Sequence, residues 1–306
     1  MQQQSSPSQL PRSGRYAFAA LLVSNLLLAF GPWMVRLADD VGPVASGFWR
    51  VALAAPFLFL LAVRTNGPRL APSTGLVGVI VLGGLFFAAD LASWHVGIHM
   101  TKLANATLFG NFSSFLFVLY GFVVLRQLPR KVQIVALLLA GAGAALLLGS
   151  SYELSPNHFA GDLFALLAGL FYTFYLIAID RARRTMAPMP VLAIATAAGT
   201  LPLFLFALAL GEQIVPGDWT PLLILSFGSQ VVGQGLLVYA VGYLSPVVVG
   251  LGLLAQPAAG AVIGRFAYGE TMSGADIAGA ILITAALVLI RLPEPRLASN
   301  RAEDHS

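Results

Sequence analysis

No cysteine occurs anywhere in the chain, and only 10% of its 306 residues are charged. The first absence excludes disulfides, thiolate metal sites and thiol nucleophiles together. The second is more restrictive. A soluble domain carries about 25% charged residues, so this few cannot clothe a solvated surface of ordinary size. What fills the chain instead is apolar: 58% of residues are hydrophobic and the mean hydropathy is +0.83. Such a composition belongs in a bilayer, where every backbone N–H and C=O must be paired inside the spanning segments.

A helix needs about 20 apolar residues to cross the hydrocarbon. Ten stretches meet that length: 16–38, 43–63, 75–99, 104–125, 132–150, 161–182, 189–211, 220–244, 246–268 and 273–292. The links between them are short and rich in turn formers, such as Thr65-Asn66-Gly67-Pro68 and Ser155-Pro156-Asn157. Residues 1–15 are polar, with Pro7, Pro11, Arg12 and Arg15, and read as a disordered tail rather than a cleaved signal. Residues 293–306 read as a second tail.

The chain has a net charge of +4 and a pI near 9.6, but its basic residues are not arranged for nucleic acid. With the N-terminus in the cytoplasm, thirteen of the seventeen Lys and Arg fall on the inner side. Only Lys102 and Arg265 fall outside, and Arg36 and Arg50 lie within spans. That asymmetry is the positive-inside signal. It predicts a multi-pass protein of the cell (inner) membrane with both termini cytoplasmic.

The last five spans echo the first five. Spans three and four are barely separated, and so are spans eight and nine. Trp94-His95-Val96-Gly97 near the end of span three resembles Tyr239-Ala240-Val241-Gly242 near the end of span eight. A repeat with an odd number of spans must insert upside down. The expected fold is therefore an all-α integral membrane protein of ten transmembrane helices, built as two inverted five-helix repeats over 16–150 and 161–292. This is the usual build of a secondary transporter.

Substrate sites in such folds lie near the bilayer midplane, so polar side chains there are the candidates. In span eight Ser226, Gln230 and Gln234 recur every four residues on one helix face. They read either as a cavity wall or as helix–helix hydrogen bonding. Span nine carries Gln256-Pro257 and span one carries Asn25 with Gly31-Pro32; Pro32 and Pro257 are candidate hinges or static kinks. Tyr172 and Tyr175 in span six can line a cavity or simply pack. Asn111 and Ser114 share a face of span four. Charges within the membrane are functional candidates, and Asp90 is the one carboxylate well inside a span. Its depth roughly matches that of Arg50, so the two read as an ion pair or, if Asp90 faces a cavity, as a proton-coupling site beside Trp94. His95 and His99 lack a third partner for metal, and neither a metal nor any other cofactor is expected. The small residues of spans five and ten, such as Ala140-Gly141-Ala142-Gly143, suit close helix contact or a dimer seam; the chain is expected as a monomer or homodimer.

Several local patterns resemble the drug/metabolite transporter superfamily, specifically its ten-helix EamA-type members, over about 16–292. Phe48-Trp49-Arg50 sets an Arg beside an aromatic in span two. Ala104-Asn105-Ala106-Thr107-Leu108-Phe109-Gly110-Asn111 opens span four, and Gln256-Pro257 stands in span nine. Gly269-Glu270 keeps the family's corner after span nine, whereas the first copy departs from it with Leu125-Arg126. The resemblance implies a ten-helix inverted-repeat bundle with a central cavity that moves small metabolites, often exporting amino acids, with the aromatic-amino-acid exporter branch among the candidates.

The expected function is a secondary transporter exporting small polar or zwitterionic metabolites, most readily amino acids, by alternating access. Another metabolite or drug class is the alternative. An intramembrane enzyme fits less well: the sequence has no His-Glu-x-x-His, no Gly-x-Ser-x-Gly and no paired mid-span aspartates. Since the chain lacks cysteine, single-cysteine labelling reads its topology directly. Ser8→Cys should react with an impermeant maleimide only after the cells are opened. Asn157→Cys, in the link after span five, should react in intact spheroplasts; the reverse pattern would invert the orientation.

Overall fold

A computed structural model describes residues 16–66, 74–101, 103–126, 129–149, 159–256, 259, 262–263, 266 and 274–289. The two tails and Pro257 lie outside the described residues. Among these residues every regular element is helical. Among them six helices are long and apolar enough to cross a membrane, Ala17–Leu37, Pro43–Asn66, Thr74–Met100, Phe159–Arg183, Pro188–Ala209 and Thr220–Val241, and shorter apolar helices stand in spans four, five and ten. Large apolar side chains face outward, including Val123 at 70% exposure and Leu138 at 66%. In water such a surface would be a liability, but against lipid tails it is the expected one.

Several spans are broken where the sequence removes or redirects backbone bonds. Span one is α1 (Ala17–Ala29) followed by α2 (Gly31–Leu37), with Pro32 in the first turn of α2. Its missing N–H is harmless there. Spans two and three are α3 (Pro43–Asn66) and α4 (Thr74–Met100). Span four is α5 (Leu103–Gly110) and α6 (Phe112–Leu125), separated at Asn111. Arg126 ends α6 in the left-handed region, φ 50°. Then come α7 (Lys131–Gly149), α8 (Phe159–Arg183) and α9 (Pro188–Ala209). Span eight opens as α10 (Thr220–Ile224), widens into a π-helix over Leu225–Gly233 and closes as α11 (Gln234–Val241). Finally α12 (Pro246–Leu253), whose N-cap Ser245 accepts from Val248 N–H, begins span nine, and α13 (Gly274–Leu289) forms span ten.

The packing follows a two-fold exchange of repeats. Three pairs match a span with its own counterpart: α3 with α9, α6 with α12 and α7 with α13. The larger of the remaining pairs come in twos. The contact of α4 with α8 (spans three and six) is answered by α1 with α11 and the π segment (spans one and eight). That of α4 with α9 (three and seven) is answered by α3 with the π segment (two and eight). That of α5 and α6 with α8 (four and six) is answered by α1 with α12 (one and nine). The fold is thus two inverted five-helix repeats, and spans two, three, seven and eight meet at their crossing.

Glycine permits the closest of these approaches. A Cβ on Gly84 of α4 would meet the Ala195 carbonyl oxygen and stand 2.8 Å from Ala198 Cβ on α9, and a Cβ on Gly199 would in turn stand 3.1 Å from the Gly84 carbonyl oxygen. Gly84→Leu should therefore lower stability by about 1–3 kcal/mol through overpacking. Gly78→Leu on the same helix should be neutral, since nothing lies within 4 Å of its Cβ position. Thermal melting in detergent compares the two.

Candidate functional site: a polar belt where the repeats cross

Five spans carry polar side chains into the crossing. Arg50 comes from α3 and is 3% exposed; Asp90 comes from α4 and is 9% exposed. Gln230 lies in the π segment and Gln234 closes it, both at 1% exposure or less. Tyr172 and Tyr175 come from α8 and Thr196 from α9.

One hydrogen-bonded chain joins three of these elements. Arg50 Nε donates to Gln230 Oε1 at 3.2 Å, and Gln230 Nε2 donates to Thr196 Oγ1 at 3.0 Å. A second joins span eight to span six: Tyr175 OH donates to Gln234 Oε1 at 3.5 Å, and Gln234 Nε2 donates to Tyr172 OH at 3.3 Å. Phe87 closes one side of the belt. The Arg50 guanidinium lies 5.7 Å from its ring centre, a cation–π distance, and Tyr175 stacks on the same ring at 4.6 Å.

The depth match of Arg50 and Asp90 does not produce a direct ion pair. They are close enough to attract electrostatically, yet Arg50 spends its Nε on Gln230. Two side chains absent from the sequence reading, Thr196 and Phe87, take part in the belt.

The other candidates lie elsewhere. Asn25 donates to Gly252 O at 2.9 Å and accepts from Gln256 Nε2 at 3.0 Å, so this pair ties span one to span nine. Trp94 wedges between the span-one break at Gly31 and Gly110 of span four. Asn111 bonds the Thr107 carbonyl of its own helix at 2.8 Å. Ser114 and Ser226 are fully buried and find no hydrogen-bond partner among the described residues. Pro32 sits at the α1–α2 break. His95 sets Nδ1 against Ser46 Oγ at 2.7 Å and Pro43 O at 3.1 Å. No cluster of three potential metal ligands occurs among the described residues.

Polar ties close the bundle at both ends. At the N-terminal end of α3, Glu212 accepts from Val44 N–H at 3.2 Å and Ala45 N–H at 2.8 Å, filling orphan first-turn donors. Trp49 Nε1 adds a bond to Ile214 O at 2.6 Å. At the opposite end, Asp180 of α8 accepts from Tyr120 OH at 2.9 Å and from Arg184 at 2.8 Å.

This arrangement has a family match in each half. Residues 15–149 and again 159–292 match the EamA-like transporter family. The chain belongs to that family. It is therefore a multi-pass membrane transporter of small molecules, in agreement with the fold. A solved crystal structure is similar with a TM-score of 0.74 at 18% identity, covering 90% of this chain and 96% of that one; at that identity the likeness concerns the fold alone. The search of curated proteins gave no match.

In this EamA-type transporter Gln230 is the residue that holds the belt together. Gln230→Ala removes both the acceptor for a buried guanidinium and the donor to Thr196. It should cost about 2–4 kcal/mol, against about 1 kcal/mol for Thr196→Val. Melting midpoints of purified variants give the ranking; equal effects would mean that Gln230 does not carry Arg50.

Proposed function

We propose that the chain is a secondary transporter that exports small polar or zwitterionic metabolites, amino acids foremost, across the cell (inner) membrane by alternating access, with both termini cytoplasmic. The observation that carries this reading is the belt itself. Guanidinium, carboxylate, amide, phenol and phenyl groups converge from spans two, three, six, seven and eight, a mixture suited to a solute with polar and apolar ends. A packed scaffold needs none of these charges, and burying them is costly.

Alternating access draws support from the repeat. Inverted halves have equivalent ways of opening to either side. Spans one, four and eight are interrupted at Gly31-Pro32, at Asn111 and through the π segment, which supplies bending points. The ties around Glu212 and Asp180 then act as two gates on either side of the belt.

Counterflow into proteoliposomes tests the reading. Purified protein preloaded with unlabelled amino acid should take up the labelled form with saturation and competition. A folded, inserted sample that exchanges other metabolites but no amino acid would remove the substrate assignment and leave the transporter assignment standing.

A further inference from the structure

The two charges of the belt are unusual in being buried without neutralising each other. Among the described residues Arg50 forms one hydrogen bond, from Nε, and Asp90 forms none. The side-chain nitrogens and oxygens that are both sealed and unpartnered are His95 Nε2, Ser114 Oγ and Ser226 Oγ. The Nη edge of Arg50 and the carboxylate of Asp90 are not among them. Both tips therefore reach accessible space between the helices, although their residues are more than nine-tenths buried.

A free guanidinium edge and a free carboxylate in hydrocarbon are each costly to hold. If stability alone governed, the two would close on one another. Instead Gln230, fixed by Thr196, turns the guanidinium through its Nε, and the Phe87 face steadies it. The edge that remains carries two parallel N–H directions, the geometry that takes a carboxylate in bidentate fashion. The Asp90 carboxylate accepts only and matches an ammonium. Tyr172, Tyr175 and Phe87 form an aromatic wall beside both.

We propose that Arg50 and Asp90 are the two poles of a zwitterion clamp, in which the Arg50 Nη edge holds the substrate α-carboxylate and Asp90 holds its α-ammonium. The inference rests on the amino-acid reading above and assigns its recognition to these two side chains. The substrate completes the ion pairing that the protein leaves open, so a solute lacking either pole leaves one buried charge unmatched. Asp90 then acts as a specificity residue for the amine rather than as a site for a coupling proton.

The test is binding to the full-length purified protein with three related probes: phenylalanine, 3-phenylpropionate, which lacks the amine, and 2-phenylethylamine, which lacks the carboxylate. In the wild type each truncated probe should bind roughly tenfold or more weakly than phenylalanine, the cost of one unmatched charge-assisted contact. Asp90→Asn should erase the preference for phenylalanine over 3-phenylpropionate and keep the preference over 2-phenylethylamine. Arg50→Gln should do the reverse, with Arg50→Lys retaining part of the carboxylate preference. Wild-type exchange of phenylalanine with truncated probes binding within about threefold of it would overturn the clamp and spare the amino-acid reading. So would an Asp90→Asn protein that loses pH-gradient dependence but keeps its amine preference. Failure of the wild type to exchange any amino acid would overturn both. Should a variant not fold, the wild-type ratios decide alone.

Discussion

The hydrogen bond from Arg50 to Gln230 is the interaction on which the centre of this protein depends. A guanidinium near the middle of a bilayer needs protein partners for N–H groups that lipid tails cannot satisfy. Gln230 supplies that oxygen, and its amide can present it in one orientation only because Thr196 takes the other end. The same span must also turn Gln234 toward the tyrosines of α8. The π-helix between Leu225 and Gly233 is the device that allows both. Its wider turn shifts the angular position of every later residue, and such segments concentrate at functional sites. Holding one charge on span two thus dictates an amide and an irregular helix on span eight and a hydroxyl on span seven.

Symmetry of the scaffold makes the asymmetry of the belt informative. Arg50 and Pro56 of α3 stand at the same spacing as Thr196 and Pro202 of α9, on two helices that pack as counterparts. The prolines lie inside both helices. The position before them differs: one repeat carries a cation and the other a small hydroxyl. Gln230 bridges the two. Helix packing tolerates the same residues in both halves, but a solute with unlike ends needs unlike contacts. Divergence between the copies at this level is what the proposed binding site, built on a repeat, requires.

Much of this architecture was legible because lipid makes sequence speak plainly. Spans two, three, six and seven follow from hydropathy to within a few residues, since a backbone in hydrocarbon has few alternatives to a helix. Pro32 announced the break in span one. The face of Ser226, Gln230 and Gln234 was legible from spacing, but the π-helix was not, because a register change in hydrogen bonding leaves no mark in composition. Depth along a helix placed Arg50 and Asp90 at one level and could not say which way their tips turn; the missing direct pair is a matter of rotation, which Gln230 decides. Thr196 was silent as one of two hydroxyls in an apolar run; its spacing to Pro202, which echoes that of Arg50 to Pro56, is the signal that could have found it. Asn25 and Gln256 looked like cavity residues for a sound reason, since amides in lipid need partners. Here they found each other.

The ties at the two ends constrain how such a molecule can work. Glu212 makes two charge-assisted bonds to the first turn of α3, and Asp180 makes one across to Tyr120 of α6, its other partner, Arg184, lying one turn further along the same chain segment. Hydrogen bonds to charged groups contribute about 1.5–3 kcal/mol each, less where a partner is as exposed as Arg184. The Glu212 tie is therefore worth a few kcal/mol and the Tyr120–Asp180 tie about half of that. A ligand shifts a conformational equilibrium only by the difference in its affinity for the two states, so a gate much stronger than a bound solute would lock the carrier. In the proposed cycle, ties of modest strength allow a small molecule to tip the balance. In the alternating-access reading, the inverted repeat supplies two ends able to open, and these few carboxylate contacts set how readily either one does.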